Sequence, residues 1–242
     1  MSQEAILGAI RRGLGRGGLT EDRLAVPRAR LAAPPRGPVP ARGDLPRAAQ
    51  VALFLRAAER EFASTVRVPA LSAVPGAIAA WLAAGGLGTE LVVAPHPELA
   101  GLAWGEAGLS ARFGPACAAD RVSVQHAFAG VAETGTLVLP SGPERPATLN
   151  LLPETEIVVL PASRVVGAYE TVWDWLRVER GRGEGLTALH DDGGGFMPRA
   201  LMLVSGVSRS ADIEQTLELG AHGPRRLHVI LVDDDPAACA VA

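Results

Sequence analysis

The sequence predicts an α/β protein with a mostly parallel sheet flanked by helices, and three observations support this fold class. Strand-like and helix-like segments alternate along the chain from residue 64 onward, which is the order that produces parallel sheets. The apolar runs at 136–140, 156–161 and 226–233 are short and rich in β-branched residues, as buried strands are. Of the 242 residues, 48% are hydrophobic, so the chain can bury a sizeable core as one large or two small domains.

Local signals predict the other elements from residue 44 onward. Asp44 and Pro46 suit the start of a helix that continues to about Phe62, because a capping side chain is followed by proline in the first turn. A glycine-rich loop, a candidate lid, is predicted at 181–198. The remaining predicted strands are 64–69, 90–95, 109–113, 121–128 and 199–206, and the remaining predicted helices are 74–84, 97–104 and 169–180.

Residues 1–43 differ in composition from the domain predicted at 44–242. A short helix is expected at 2–14, followed by a segment rich in glycine, proline and arginine that has no hydrophobic periodicity. We interpret it as an arm that is either mobile or laid over a neighbouring subunit of a homo-oligomer. A nucleic-acid-binding arm is the sharper alternative, but the interleaved aromatic residues that such arms use are missing.

Composition excludes several classes of function. The net charge of −3 argues against general binding of nucleic acid or anionic membranes. All 23 basic residues are arginine, so neither a P-loop lysine nor a Schiff-base lysine is available. Two distant cysteines cannot bind an iron–sulfur cluster alone. No signal peptide or membrane-length apolar run is found, and no GxGxxG motif follows a strand, so a soluble cytoplasmic protein without a cofactor of its own is expected.

The stretch at 130–161, GVAETGTLVLPSGPERPATLNLLPETEIVVLP, is the first with candidate chemistry. It follows the predicted strand at 121–128, and α/β sheets bind ligands beyond the carboxyl ends of their strands. A carboxylate and two hydroxyls stand at a strand entrance, beside a glycine that allows close approach of a backbone or a ligand. A tight turn with a solvated glutamate is the alternative. The expected site residues are Glu133, Thr134, Gly135 and Thr136.

The second informative stretch is SGVSRSADIEQTLELGAHGP at 205–224. It predicts a strand end, a polar turn, a helix from Asp212 to Leu219 and a stop at Gly220. The amides at the start of such a helix would bind an anion, and a neighbouring arginine would hold a carboxylate. An ordinary capped helix with a solvated arginine is the alternative. The expected binding residues are Ser205, Gly206, Ser208, Arg209 and Asp212.

The five histidines show no zinc-binding spacing, so no metal site is predicted. His126 and His222 flank the two informative stretches and could converge there. His222 follows the predicted helix and is the candidate acid or base, with Glu133 as the other catalytic candidate. For both histidines a structural role is the alternative.

Together, GVAETGTLVL, LNLLPETEIVVLP and SGVSRSADIEQTLELGAHGPRRLHVILVD resemble the LUD domain of the lactate utilisation protein C family. The resemblance covers roughly residues 45–233, with Val207 where the family usually has proline and Ser210 where it has threonine. It implies a fold similar to the ribose-5-phosphate isomerase, glucosamine-6-phosphate deaminase and CoA-transferase group. It also implies a role in oxidising L-lactate to pyruvate with two partner proteins, at least one carrying iron–sulfur clusters.

Three functions remain open at this point. The favoured one is a subunit of the lactate-oxidising complex that holds a small carboxylic acid while electrons pass to iron–sulfur partner subunits. A second is a CoA-transferase-like or isomerase-like enzyme with Glu133 as nucleophile, since CoA-transferases of this fold group use a glutamate beside glycine. A third is a non-catalytic module that senses a small organic acid and is stabilised by it.

Overall fold

The computed structural model describes residues 2–15, 20–33, 35–182, 198–211, 217–220 and 222–235. The predicted loop at 181–198 lies almost wholly outside these ranges. The chain divides into two compact units, Met1–Pro38 and Val39–Ala242. Among the described residues no helix combines the length and the apolar character that crossing a bilayer requires.

The described part of the first unit contains two helices, α1 (Gln3–Gly13) and α2 (Glu21–Ala32), although the sequence predicted only the first. The side chain of Thr20 caps α2 by accepting a hydrogen bond from the amide of Arg23, and Glu21 and Asp22 in the first turn suit the helix dipole. These residues lack a strong apolar stripe. The start of α2 is therefore specified by its cap, and a prediction based on hydrophobic periodicity does not detect it.

The second unit carries the remaining elements. Its helices are α3 (Arg47–Arg60), α4 (Val74–Ala84), α5 (Pro97–Ala100), α6 (Thr148–Leu151) and α7 (Tyr169–Arg182). Short 3-10 turns occur at Leu71–Ala73, Gly105–Ala107 and Ala162–Arg164. The described strands are β1 (Ser64–Val68), β2 (Glu90–Val93), β3 (Ser110–Phe113), β4 (Val122–His126), β5 (Ala129–Val131), β6 (Thr136–Pro140), β7 (Thr155–Pro161), β8 (Val165–Val166), β9 (Leu201–Val204), β10 (Arg209–Ala211), β11 (Leu217–Leu219) and β12 (Arg226–Val232).

Six strands form a fully parallel sheet in the order β1-β12-β7-β4-β2-β3, which confirms the predicted fold class. Both faces of this sheet are covered, as parallel sheets require. Along β7, Ile157 and Val159 join one core with α4, while Val158 and Leu160 join another with α3. The continuous apolar runs of β7 and β12 thus reflect burial on both faces.

The predicted strand at 136–140 belongs to a separate four-stranded sheet with the order β8-β5-β6-β9. In it β6 is antiparallel to both of its neighbours. Leu137 and Leu139 point to the core shared with α3, whereas Val138 points to a third core shared with α7. The second sheet is therefore an inner layer that carries the motif at 133–136 next to α3.

The larger sheet changes its winding direction between β2 and β4. The strand β2 leads on to its outer neighbour β3, while β4 leads to β7 on the opposite side. The carboxyl ends of two neighbouring strands whose connections diverge leave a crevice, which is the usual ligand position in open α/β sheets. His126 ends β4 and His96 lies three residues after β2, so both stand at this switch point.

The helix predicted from Asp212 to Leu219 is wrong at its described end, Leu217–Leu219. Residues 209–211 and 217–219 form the antiparallel pair β10 and β11, and residues 212–216 lie outside the described part. Gly220 has φ of +81°, a conformation that ends a strand as readily as a helix. The predicted helix start at Asp212 lies outside the described residues, so the anion site expected there stays a prediction.

Glu156 is fully buried on β7. Gln125 and Asn150 each donate a hydrogen bond of 2.7 Å to its Oε1. Burial is the main effect, outweighing both hydrogen bonds, and raises the pKa of Glu156 to about 8. The carboxyl group is therefore protonated in the native protein near neutral pH.

We expect Glu156→Gln to remove a pH dependence of stability. The carboxyl ionises near 4.5 when exposed and near 8 when buried, so between these values the native state holds a proton that the unfolded state has lost. The free energy of unfolding should then fall as pH rises, by at most about 1.4 kcal/mol per pH unit. Glutamine keeps an acceptor for both donors but does not titrate. Urea unfolding over this range should show that the free energy of unfolding of Glu156→Gln increases relative to that of the wild type as pH rises. Exposed Glu154→Gln is the control, and parallel profiles for wild type and Glu156→Gln would contradict the assignment.

Candidate functional site

A polar cavity of about 520 Å³ lies where the end of α3 meets the turn between β5 and β6. It combines two arginines, two carboxylates and two hydroxyls with one apolar side chain. Three different parts of the chain contribute: residues 42–61, the 133–136 turn and the segment after β9. The lining residues are Arg42, Leu53, Arg60, Glu61, Glu133, Thr134 and Ser205.

Two glycines hold both predicted stretches against α3. Gly135 has φ of +66°, and a Cβ atom there would lie 2.4 Å from the backbone nitrogen of Ala58. Gly206 has φ of +82°, and a Cβ atom there would lie 2.1 Å from the carbonyl oxygen of Glu61. Real Cβ atoms do not approach so closely, so only glycine fits either position. The sequence predicted that a backbone or a ligand approaches Gly135 closely, and the backbone of α3 does so.

Glu133 is the most buried charged group of the cavity. Its side chain is 5% exposed, and its Oε2 lies 3.3 Å from Nη2 of Arg42 in an ion pair. That oxygen has no hydrogen bond with good geometry among the described residues. A buried carboxylate needs a counter-charge, and Arg42 supplies it from the largely exposed side of the cavity.

Four hydroxyls form a network beneath the cavity. Thr136 lies at its centre, with its Oγ1 2.7 Å from Thr134, 2.6 Å from Ser205 and 2.8 Å from the hydroxyl of Tyr169. Thr134 also donates to Tyr169 at 3.3 Å. Each hydroxyl has one proton, so the ring Thr134 to Tyr169 to Thr136 to Thr134 closes if Ser205 donates to Thr136. In this arrangement Ser205 turns its acceptor lone pairs toward the cavity.

Arg209 does not line the cavity but contacts Glu61, which does. Its guanidinium forms an ion pair with the Glu61 carboxylate and lies 4.7 Å from the ring centroid of Phe62. Glu61 in turn lines the cavity beside Glu133. The two predicted stretches therefore do meet, but Arg209 is engaged with Glu61 and does not itself line the cavity.

Other predicted site residues lie elsewhere. The Ser208 amide donates to the Pro224 carbonyl, and its hydroxyl accepts from the His222 amide at 3.2 Å. His222 is exposed. Neither residue lines the cavity, and Asp212 lies outside the described residues.

The sequence reading missed five residues of the site: Arg42, Leu53, Arg60, Glu61 and Tyr169. Arg42 was assigned to the N-terminal arm, yet it belongs to the larger unit. Leu53 lies on one face of α3, and Arg60 and Glu61 lie at its end. They line the cavity only because the two glycines pack against this helix in the folded protein. One sequence signal could have found Arg60 and Glu61. The end of the predicted helix is charged, from Glu59 to Glu61, and lies shortly before a predicted strand, where a site can form.

A second polar cluster lies at the switch point of the six-stranded sheet. His96 and His126 stack with ring centroids 4.0 Å apart and planes 2° from parallel, and Nε2 of His126 lies 2.7 Å from Oε2 of Glu98. Arg145 donates to Nε2 of His96 at 3.0 Å and to the His126 carbonyl oxygen at 3.1 Å. Burial, His126 and Arg145 lower the pKa of His96 to about 3. The contact with His126 lowers the pKa of Glu98.

The fold and the cavity define an α/β protein whose central glycine-bearing motif is held against a helix end. The model of the LUD domain family matches residues 119–232. This part of the chain matches the LUD domain family, and the resemblance found in its motifs is confirmed. The match begins just before β4 and ends with β12.

Curated relatives match over the same part of the chain. The lactate utilization protein C of Geobacillus kaustophilus is 33% identical over 121 residues, which is 48% of this chain and 45% of that protein. The protein of the same name from Halalkalibacterium halodurans is 36% identical over 104 residues, 43% of this chain and 40% of that protein. An uncharacterized protein of Neisseria meningitidis serogroup B is 37% identical over 107 residues, covering 44% and 40%. The chain thus spans less than half the length of these relatives.

The fold is shared with a solved structure. A crystal structure of a DUF162 family protein from Deinococcus radiodurans superposes with a TM-score of 0.56 and 24% identity. The superposition covers 78% of this chain and 99% of that one. Its coverage extends well beyond the matched LUD segment, so the fold likeness includes elements outside residues 119–232.

Gly135→Ala should destabilise the protein more than strain in φ alone explains. Gly86 has a similar φ of +62° with no atom within 4 Å of an added Cβ, so Gly86→Ala isolates the cost of the backbone conformation, about 1–2 kcal/mol. Gly135→Ala adds a collision with α3, and we expect a further loss of about 1–3 kcal/mol in the free energy of unfolding. Chemical denaturation of both variants measures the difference. Equal losses would mean that Gly135 does not touch the helix.

Proposed function

We propose that this protein is a component of an L-lactate utilisation system, which oxidises L-lactate to pyruvate with iron–sulfur partner proteins. The cavity beside α3 would hold the lactate. The observation that carries the proposal is the joining of two arginines, a buried glutamate and a hydroxyl network in one cavity of a LUD-domain protein. The names of the matched relatives support the same role.

The residues suit a small 2-hydroxy acid. Arg42 and Arg60 have largely exposed side chains, and an arginine can bind a carboxylate with two parallel hydrogen bonds. The acceptor lone pairs of Ser205 can accept a hydrogen bond from a substrate hydroxyl. Glu133, held next to Arg42, is placed to accept a hydrogen bond or a proton from the same group.

Partners are proposed because the oxidation must deliver two electrons to an acceptor. Cluster ligation usually takes four cysteines, and this sequence has two, far apart. The chain therefore cannot supply a cluster by itself. Iron–sulfur partner subunits would take the electrons while this chain holds or positions the acid.

Arg42→Gln and Arg60→Gln should each weaken binding of L-lactate. Losing a charge-assisted hydrogen bond costs about 1.5–3 kcal/mol, which is about 10- to 100-fold in affinity. Isothermal titration of the purified chain with L-lactate, and the rise in melting temperature with added lactate, measure the change. Arg56→Gln is the matched control, since Arg56 is an exposed residue of α3, the helix that carries Arg60, and does not line the cavity. Unchanged affinity in both cavity variants would place the acid elsewhere.

Growth separates a role in lactate oxidation from mere binding. A strain lacking the gene should fail to grow on L-lactate but grow on pyruvate, and the wild-type gene should restore growth. Glu133→Gln, which keeps the size of the side chain but cannot accept a proton, should bind lactate and fail to restore growth. Normal growth of the deletion strain would overturn the proposal. Binding without any growth defect would favour the sensing module.

The transferase alternative has its own test at Glu133. A glutamate nucleophile would form a thioester with CoA, which mass spectrometry of the acyl-CoA-treated protein would detect on that residue. The ion pair with Arg42 and the burial of Glu133 favour a role in binding over nucleophilic attack. An unmodified Glu133 would remove the transferase hypothesis.

A further inference from the structure

His96, Glu98 and His126 bring three metal-binding side chains together away from the cavity residues. One potential ligand atom from each lies within 4.8 Å of the other two. Two histidines and a glutamate are a donor set that zinc enzymes use, with a further coordination position left for water or a substrate oxygen. The sequence spacing gave no hint of this, because 30 residues separate the two histidines.

His126 is the deepest member of the cluster. Its side chain is 6% exposed, and neither ring nitrogen has a hydrogen bond of good geometry among the described residues. The 2.7 Å contact with Glu98 is short, yet it does not follow the direction of the ring N–H. Buried imidazoles normally have a partner for at least one nitrogen. A bound ion would satisfy His126.

The position of the cluster gives independent support. His126 ends β4, and His96 and Glu98 follow β2, so all three stand at the carboxyl edge where the sheet reverses its winding. This crevice is where open α/β sheets bind ligands. The side chain of Glu98 is 49% exposed, which leaves a path from solvent to the buried histidine.

We propose that His96, Glu98 and His126 bind a divalent transition metal ion of the zinc class. The two imidazoles must tilt from their parallel stack so that their nitrogens converge on the ion. This site shares no residue with the cavity proposed to hold lactate, so the metal proposal can be tested independently of the proposed function.

Among the described residues of the cluster, Arg145 carries a positive charge that opposes a cation. Its guanidinium donates to Nε2 of His96, so that nitrogen must release the arginine if it is the one that binds the ion. Displaced in this way, the guanidinium would lie beside the open coordination position. A carboxylate or phosphate oxygen bound to the ion would there have a counter-charge.

The experiment titrates the full chain, first stripped with a chelator, with zinc by calorimetry and with cobalt(II) by visible absorption. We expect one ion per chain, a visible band typical of low-coordinate cobalt(II), and a raised melting temperature with zinc. Glu98→Gln should weaken binding at least about 10- to 100-fold, the loss seen when even outer residues of a metal site are removed. His126→Gln should do the same. Glu98 is half exposed, so its variant remains informative if His126→Gln fails to fold.

Two variants serve as controls. His222→Gln removes an exposed histidine outside the cluster and should leave the affinity unchanged. Arg145→Gln removes a positive charge but no ligand, and should bind zinc as tightly as the wild type or more tightly. The proposal is overturned if the stripped chain binds no ion, if Glu98→Gln and His126→Gln bind as well as the wild type, or if His222→Gln alone abolishes binding.

Discussion

The close contact between two glycines and the end of α3 is the constraint on which the candidate site depends. Gly135 and Gly206 come from segments about 70 residues apart, and each meets helix backbone with no space for a Cβ atom. Arg47 fixes the other end of α3 by donating to the carbonyl oxygens of Ala162 and Val165. Contacts between backbones do not adjust as flexible side chains do. The spacing between Glu133, Ser205 and the arginines is therefore set by packing, and the ion pairs on the exposed rim add little to it.

Two buried titratable groups in the larger sheet act in opposite directions on stability. His228 stacks on Trp81 and contacts the Ser64 hydroxyl at 2.8 Å, and burial lowers its pKa from 6.5 to about 4. Between those values the unfolded state binds the extra proton, so stability from His228 rises with pH. Stability from Glu156 falls between 4.5 and about 8. The two slopes offset each other up to about 6.5, and only the decline due to Glu156 remains above it.

The sequence predicted what local pattern controls. The strands β7 and β12 were found because each carries a continuous apolar run, 157–161 and 229–232, that is buried on both faces of the sheet. In the smaller sheet β6 and β9 were predicted as strands, but β5 was not, because it is only three residues, Ala-Gly-Val, and acquires its identity from pairing with β6 and β8. The helix predicted from Asp212 to Leu219 was wrong over Leu217–Leu219, because these residues pair as a strand with Arg209–Ala211 and capping signals do not predict strand pairing. Of the site, the 133–136 motif was found from its own residues, while Arg42 and Arg60 and the stack of His96 on His126 exist only through tertiary contacts.

The counter-charge of Glu133 has a consequence for how this protein can be divided. Arg42 lies far upstream of residues 119–232, as do Leu53, Arg60 and Glu61. An excised fragment limited to residues 119–232 would keep the glutamate and the threonines but lose both guanidinium groups and the helix that Gly135 contacts. It would also lose β1 and β2, and with β2 the first histidine of the stacked pair. Moving the cavity intact into another protein therefore requires α3 and Arg42 together with the 133–136 motif.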